Sequence, residues 1–425
     1  MTATVFSNAR IFDGENAALL EGQHVFVAAG RIAEVSARPP VPGDGEIVDC
    51  GGKVLLPGLI DAHVHAYAIS VNFYENVHAP STLLGVWAAL MFSRMIERGF
   101  TTVRDTGGGD WGLYEAIERG FVKSPRLYYC GQPLSQTGGH VDFRNPAFHY
   151  RDDEQVLACG CGRISQIAAV VDGVDQIRRV CRENFFRGAS FIKFTGSGGV
   201  SSTGDKLNSI QFADEEVSAI VDECVRHGAY CTTHIHPDAA LKRVVKLGVH
   251  CIEHGTLIEP DTARMVADAN ISIVPTLAVM HALTVEGKQL GLPAQSLAKL
   301  DEVKDQAVGR MQHMKDAGVR IGYGTDLLGA TERYQCAEFT LRSPIFSPLE
   351  ILKQATSNNA EIIGAKGQLG VIRAGAIADI LVADADPTID AKVLADDGRQ
   401  LAVIMKGGEF FRNRLASPPG ATTSP

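Results

Sequence analysis

Six side chains able to bind or move charge stand in or just after short apolar runs: His63 and His65 after LLPGLID, Lys193 inside FIKFTG, His234 in CTTHIH, His254 in IEHG and Asp326 in GTD. Alternate residues of a strand share a face, so His63 and His65 can reach one ion from the same side. A merely hydrogen-bonded histidine pair has the same spacing, but Pro57-Gly58 delivering the chain into an apolar strand ahead of the pair favours ligation. Lys193 is flanked by Ile192 and Phe194, where an unpaired ammonium is costly. Its amine must either reach a carboxylate across the interior or take up CO₂ as a carbamate, whose two oxygens can bridge two divalent cations. The Gly196-Ser197-Gly198-Gly199 turn that follows lets backbone pass close to a ligand. His236, two residues beyond His234, shares its face and is suited either to contact substrate or to pack. Each of these residues alone has a structural explanation. A His, Lys or Asp at five separate strand ends points to a metal-dependent hydrolytic centre.

Such a centre needs strands that deliver their ends to one place. Eight runs have the texture of strands: LLPGLIDAHVH, FTTVRD, RLYYCGQPL, SFIKFTGSGG, YCTTHIH, HCIEHGT, SIVPTLAV and RIGYGTDLLG. Helical patterns such as ADEEVSAIVDECVRHG, with an acidic first turn and a His-Gly end, and EPDTARMVADAN lie between them. This α/β alternation predicts a (β/α)₈ TIM-type barrel over residues 57–369, with its chemistry at the C-terminal strand ends. The segments TVFSNARIFDG and HVFVAAGRIAEVSA read as hairpins, and ADILVADADP and AVIMKGGEFF return the same texture near the other terminus. Together they predict a small β-sandwich domain from residues 1–56 and 370–415. Residues 416–425, SPPGATTSP at their core, have no apolar face to bury and read as a disordered tail.

Composition sets the outer limits. The chain has 425 residues, 45% hydrophobic and 21% charged, with a net charge of −9 that argues against nucleic-acid or anionic-membrane partners. No apolar run approaches a membrane span, and the N-terminus does not read as a signal peptide. Nine scattered cysteines suit a reduced, cytoplasmic setting. Cys159 and Cys161 lack a partner pair at metal-binding spacing and read as loop thiols.

The run PGLIDAHVH, the lone strand lysine, the two later strand histidines and GTD resemble the amidohydrolase superfamily over nearly the whole chain. LSQTGGH, GFTTVRD, IEHG and GTDLLG resemble its imidazolonepropionase-like branch, which contains Xaa-Pro dipeptidases and related carboxypeptidases. The resemblance implies two divalent cations. His63 and His65 would hold the more buried one and His234 and His254 the more exposed one. Carboxylated Lys193 would form the bridge, and Asp326 would be a ligand that also moves a proton. Zinc fits these donors, as do manganese and cobalt. A water shared by the ions would be the nucleophile toward an amide. His140, ending LSQTGGH, is then either a donor to the developing oxyanion or a loop histidine without chemistry. The implied substrate is a dipeptide or N-acyl amino acid cut next to a C-terminal proline or other apolar residue, and the implied assembly is a homo-oligomer.

Three other readings carry less support. A deaminase of this superfamily would have a Glu three residues after His234, where Pro237 stands, and no bridging lysine. Cyclic amide hydrolysis stays chemically open. A non-enzymatic scaffold would have lost ligands that are all present. Tyr230, Arg104 and Asp105 read as supports of the barrel, whereas Tyr67, His78 and Arg144 lie in loops on the expected active face.

Overall fold

Between Val54 and Val64 the only ionisable groups are Asp61 and His63, and the segment forms two buried strands, Val54–Pro57 and Leu59–Val64. The first belongs to a terminal β unit and the second opens a barrel. The structure is a computed structural model describing residues 3–41, 43–144 and 167–415. The Cys159 and Cys161 reading and the tail reading fall outside those residues.

The barrel strands are Leu59–Val64, Phe100–Asp105, Arg126–Tyr129, Ile192–Thr195, Cys231–Pro237, Cys251–Leu257, Ser272–Val274 and Arg320–Ile321. The last five pair in parallel in chain order, and the first three form their own sheet. Two backbone bonds join these sets into a ring: Ser190 N–H to Tyr129 O at 2.8 Å, and Ala62 N–H to Tyr323 O at 2.9 Å. A short additional strand, Leu134–Ser135, pairs with both Ala169–Val170 and Phe194.

The helices form where the sequence patterns place them. Asp214–Arg226 begins with Asp214, Glu215 and Glu216, and the Glu216 carboxylate accepts the Ala213 N–H at 2.6 Å. It stops at His227-Gly228, where Gly228 takes φ +63°. Pro260–Asp268 starts on its proline, where no amide hydrogen is needed.

The second compact unit draws on the chain through Ile60, on Arg94–Thr102 and on the chain from Arg342 onward, and the barrel unit holds Asp61–Ser93 and Val103–Leu341. Two sheets build it. One has the order Arg31–Ser36, His24–Ala28, Thr4–Ser7, Glu46–Asp49, and the other Glu409–Asn413, Leu401–Lys406, Ile380–Ala383, Val54–Pro57, Arg10–Ile11. Phe6, Val25 and Ile32 from the first meet Leu55, Ile380 and Val403 from the second in one core, each such side chain contributing about 1.5–3 kcal/mol of burial.

Two details depart from the sequence reading. HVFVAAGRIAEVSA is an antiparallel hairpin, but TVFSNARIFDG is not. Thr4–Ser7 pairs with His24–Ala28 and Glu46–Asp49, whereas Arg10–Ile11 crosses to the other sheet after Asn8, at φ +52°. The 342–369 segment also clusters with the sandwich, not with the barrel. Its hydrogen bonds account for this, with Ser357 Oγ donating to Gly14 O and Asn359 Nδ2 to Ile60 O, each at 2.6 Å.

Candidate metal and active site

Strand ends deliver the six ligand candidates to one cavity, lined by His63, His65, Lys193, His234, His254 and Asp326. Ligand atoms of His63, His254 and Asp326 lie within 4.8 Å of one another, a spacing one cation can span. Asp326 Oδ1 is 3.2 Å from His63 Nε2 and 2.9 Å from His65 Nε2. The His234 ring centroid lies 4.5 Å from that of His254. His140 and His236 line the same cavity. Tyr67, His78 and Arg144 do not: the Tyr67 hydroxyl donates to Asp110, His78 faces the Tyr74 carbonyl and Arg144 pairs with Asp142.

Hydrogen bonds orient the imidazoles. His63 Nδ1 is 2.7 Å from the Glu253 carboxylate and His65 Nδ1 is 3.4 Å from the Gly107 carbonyl. Both partners can only accept, so each Nδ1 carries a proton, and each Nε2 is turned to Asp326 Oδ1, the side on which a cation would be held. His254 and His236 place their Nδ1 against the hydroxyls of Thr276 and Thr256, at 2.8 and 2.9 Å. Burial holds His234 and His254 well below the usual imidazole pKa and His236 down to about 3, so these rings are neutral, the ligating form.

Burial likewise lowers the Lys193 pKa, with Arg104 adding to it and the carboxylates of Glu253 and Asp326 opposing. A neutral amine is the form that can add to CO₂. Glu253 is fully buried, yet the Arg104 guanidinium at 2.6 Å and His63 hold its carboxylate below the usual range. Asp61, bonded to Thr325, Gln335 and the His63 amide, is pushed up to about 6 by burial.

Backbone conformation completes the convergence. His254 and Asp326 take φ +70° and +57°, a left-handed region that non-glycine residues enter at a cost of about 1–3 kcal/mol. Gly199 lies where a Cβ would sit 2.2 Å from His140 Cε1 and 2.5 Å from His234 Nε2, so no larger residue fits with both rings in place.

The sequence reading passed over Glu253, Thr276, Thr256, Ser202 and Asp205. IEHG displayed Glu253, but strand alternation would turn neighbouring Glu253 and His254 to opposite faces, and the left-handed turn at His254 was not legible. The threonine hydroxyls carry no signal in spacing.

Comparison with known proteins adds the following. The sequence profile described as the amidohydrolase family matches residues 54–409. Ochratoxinase from Aspergillus niger is 30% identical over 384 residues, covering 86% of this chain and 77% of that one. A solved amidohydrolase superposes with TM-score 0.94 at 40% identity, covering 98% of this chain and 100% of its own. A prolidase solved with N-methylphosphonate-L-proline superposes with TM-score 0.93 at 38% identity, covering 97% and 100%.

Proposed function

The chain belongs to the amidohydrolase family, and from that premise we propose that it is a binuclear metal hydrolase cleaving dipeptides or N-acyl amino acids at the amide next to a C-terminal apolar residue, proline included. The observation that carries this reading is the convergence of His63, His65, Lys193, His234, His254 and Asp326 on one cavity whose remaining wall is largely apolar.

The donor set fits two divalent cations, zinc by ligand type. When bound, they would acidify a water molecule and polarise the scissile carbonyl. His63, His65 and Asp326 would hold one ion and His234 and His254 the other, with Lys193 as the bridging carbamate. The buried setting, which lowers the Lys193 pKa and so favours the uncharged amine, supports that modification. Asp326, poised against both His63 and His65, accepts the proton of the attacking water and returns it to the leaving nitrogen.

Val200, Val279, Met280, Leu283, Leu300 and Leu328 line the cavity and would receive an apolar side chain while excluding water. Among the described residues that line the cavity, Lys193 is the only lysine or arginine and Asp326 the only Asp or Glu, both within the ligand set, which disfavours a charged leaving residue. The related prolidase with its proline phosphonate and the related ochratoxinase both support amide chemistry of this kind. His140 and His236 are the polar groups placed to meet the substrate.

The test is a mass-spectrometric screen of zinc-loaded enzyme against dipeptides and N-acyl amino acids. The C-terminal residue varies through Pro, Phe, Leu, Ala, Arg and Asp, with a lactam and an imidazolone alongside. Release of Pro, Phe or Leu ahead of Arg and Asp is the expected result. Ring opening of the cyclic compounds alone would transfer the activity to cyclic amides.

A further inference from the structure

The loop after the Lys193 strand carries a buried carboxylate that no step above uses. The Asp205 side chain is 2% exposed. Its Oδ1 accepts from Lys299 Nζ at 2.8 Å and from the Ser202 hydroxyl. Its Oδ2 accepts from the Gly199 amide and from Gln211 Nε2, both at 3.2 Å. Lys299, on the helix Ala294–Asp316, also donates to the carbonyls of Gly199 and Ser202 at 2.9 Å. The charge is therefore matched and the loop is tied around it.

Chemistry fixes the direction of these bonds. An ionised carboxylate only accepts, so Ser202 directs its single proton to Asp205 and has only lone pairs left for His140. His140 Nδ1, 2.9 Å from Ser202 Oγ and 3.6 Å from Asp205 Oδ2, must be the protonated nitrogen. The His140 amide is held by Gln211 Oε1 at 3.0 Å, through the same side chain that bonds Asp205. Thus oriented, the His140 ring stacks on His234 with centroids 4.1 Å apart and planes 19° apart, leaving Nε2 for the cavity that His140 lines.

We propose that Asp205 is a positioning residue for the hydrolytic reaction, acting through Ser202 to fix the tautomer and ring orientation of His140 so that Nε2 is presented to the substrate. The inference rests on the amide-hydrolase reading of the cavity, but its geometry is independent of which amide is cut. Asn at position 205 keeps one acceptor oxygen for Lys299 and Ser202 but turns its NH₂ on the Gly199 amide and Gln211, which also donate, so the loop that holds Ser202 against His140 loosens. Removing the Ser202 hydroxyl breaks the same link without changing charge.

The experiment places Asp205→Asn and Ser202→Ala in the wild-type and His140→Gln backgrounds. It measures zinc content, kcat/KM on the best amide of the panel, and the ¹⁵N spectrum of histidine-labelled protein, with His140 assigned by its loss in His140→Gln. In the wild-type background each substitution is expected to lower kcat/KM about 10- to 100-fold with zinc content unchanged. In the His140→Gln background it is expected to add less than about 2-fold, because the effect passes through that ring. The His140 signals should shift from the Nδ1-protonated form toward a mixture of tautomers in Asp205→Asn and in Ser202→Ala, which removes the acceptor at Nδ1. Equal losses in both backgrounds, loss of zinc, or an unaltered tautomer would overturn the proposal. If wild type cleaves nothing on the panel, the functional reading fails while the ¹⁵N comparison still decides the role of Asp205. Should Asp205→Asn not fold, Ser202→Ala carries both comparisons.

Discussion

His254 and Asp326 each combine a ligand candidate with a left-handed backbone, and this pairing makes one substitution unusually clean. Asn enters the left-handed region more readily than most residues and keeps a carbonyl oxygen, so Asp326→Asn removes proton acceptance while sparing conformation and one donor atom. It is expected to retain zinc by elemental analysis and to lose about 10²- to 10⁴-fold in kcat. Full activity would remove Asp326 from the proton-transfer role. Lys193→Ala is expected to behave oppositely, losing zinc together with activity, and millimolar acetate or propionate should restore part of both by supplying the missing oxygens. Unchanged zinc in that variant would count against a carbamate bridge. At this scale period-two spacing and strand-end placement, which are local properties, single out His63, His65, Lys193, His234, His254 and Asp326, and the structure brings these six to one cavity. Glu253 escaped because period-two alternation lets only one of the neighbours Glu253 and His254 face inward, and no spacing rule reports the left-handed backbone at His254.

Elements differ in legibility for a similar reason. Asp214–Arg226 could be delimited from its acidic first turn and its His-Gly stop, which are signals written within the helix itself. The destination of Arg10–Ile11 could not, since its partner, Val54–Pro57, is far along the chain and pairing register depends on that distant strand. Helix pairing has a comparable long-range feature. Glu223, within Asp214–Arg226, is 2% exposed and accepts from Arg178 and Arg182 on the neighbouring helix Val174–Phe186, each at 2.7 Å. Hydrogen bonding to Arg182, opposed by burial and aided by Arg178, lowers its pKa to about 2. A carboxylate with a depressed folded-state pKa stabilises above its unfolded value, near 4.5, and that contribution fades as pH falls toward 2. Arg182 is largely exposed, so solvent screening limits the effect to about 1 kcal/mol. Glu223→Gln is expected to lower Tm by about 1 °C at pH 7, with the gap from wild type narrowing from pH 5 downward. A gap independent of pH, read by calorimetry, would place the stabilisation elsewhere.

For the molecule as a whole, cations that bind the folded chain but not the unfolded one must raise its stability by mass action. Exhaustive chelation is expected to lower Tm by about 3–5 °C, as about 3–4 kcal/mol of linkage would at this size, and stoichiometric zinc should restore it. A chelated sample with unaltered Tm would separate the candidate ligands from metal binding. None of the described helices is long and apolar enough to cross a membrane. The (β/α)₈ alternation was legible because each unit advertises itself locally, whereas the ring closure was not. That closure runs through Ala62 to Tyr323, through the Asp326 amide to His63 O at 2.8 Å, and through Thr325 to Asp61, 264 residues apart in sequence.

That seam and the ligand cluster share residues. His63 and Asp326 come from opposite ends of the barrel sequence, so neither half of the chain owns a complete cation site. A nascent polypeptide stalled before Tyr323, or cut there by a protease, would carry the five other ligand candidates yet lack both Asp326 and the bond that brings the first strand to the last. A cation bound across His63 and Asp326 would therefore report that the first and last barrel strands have met.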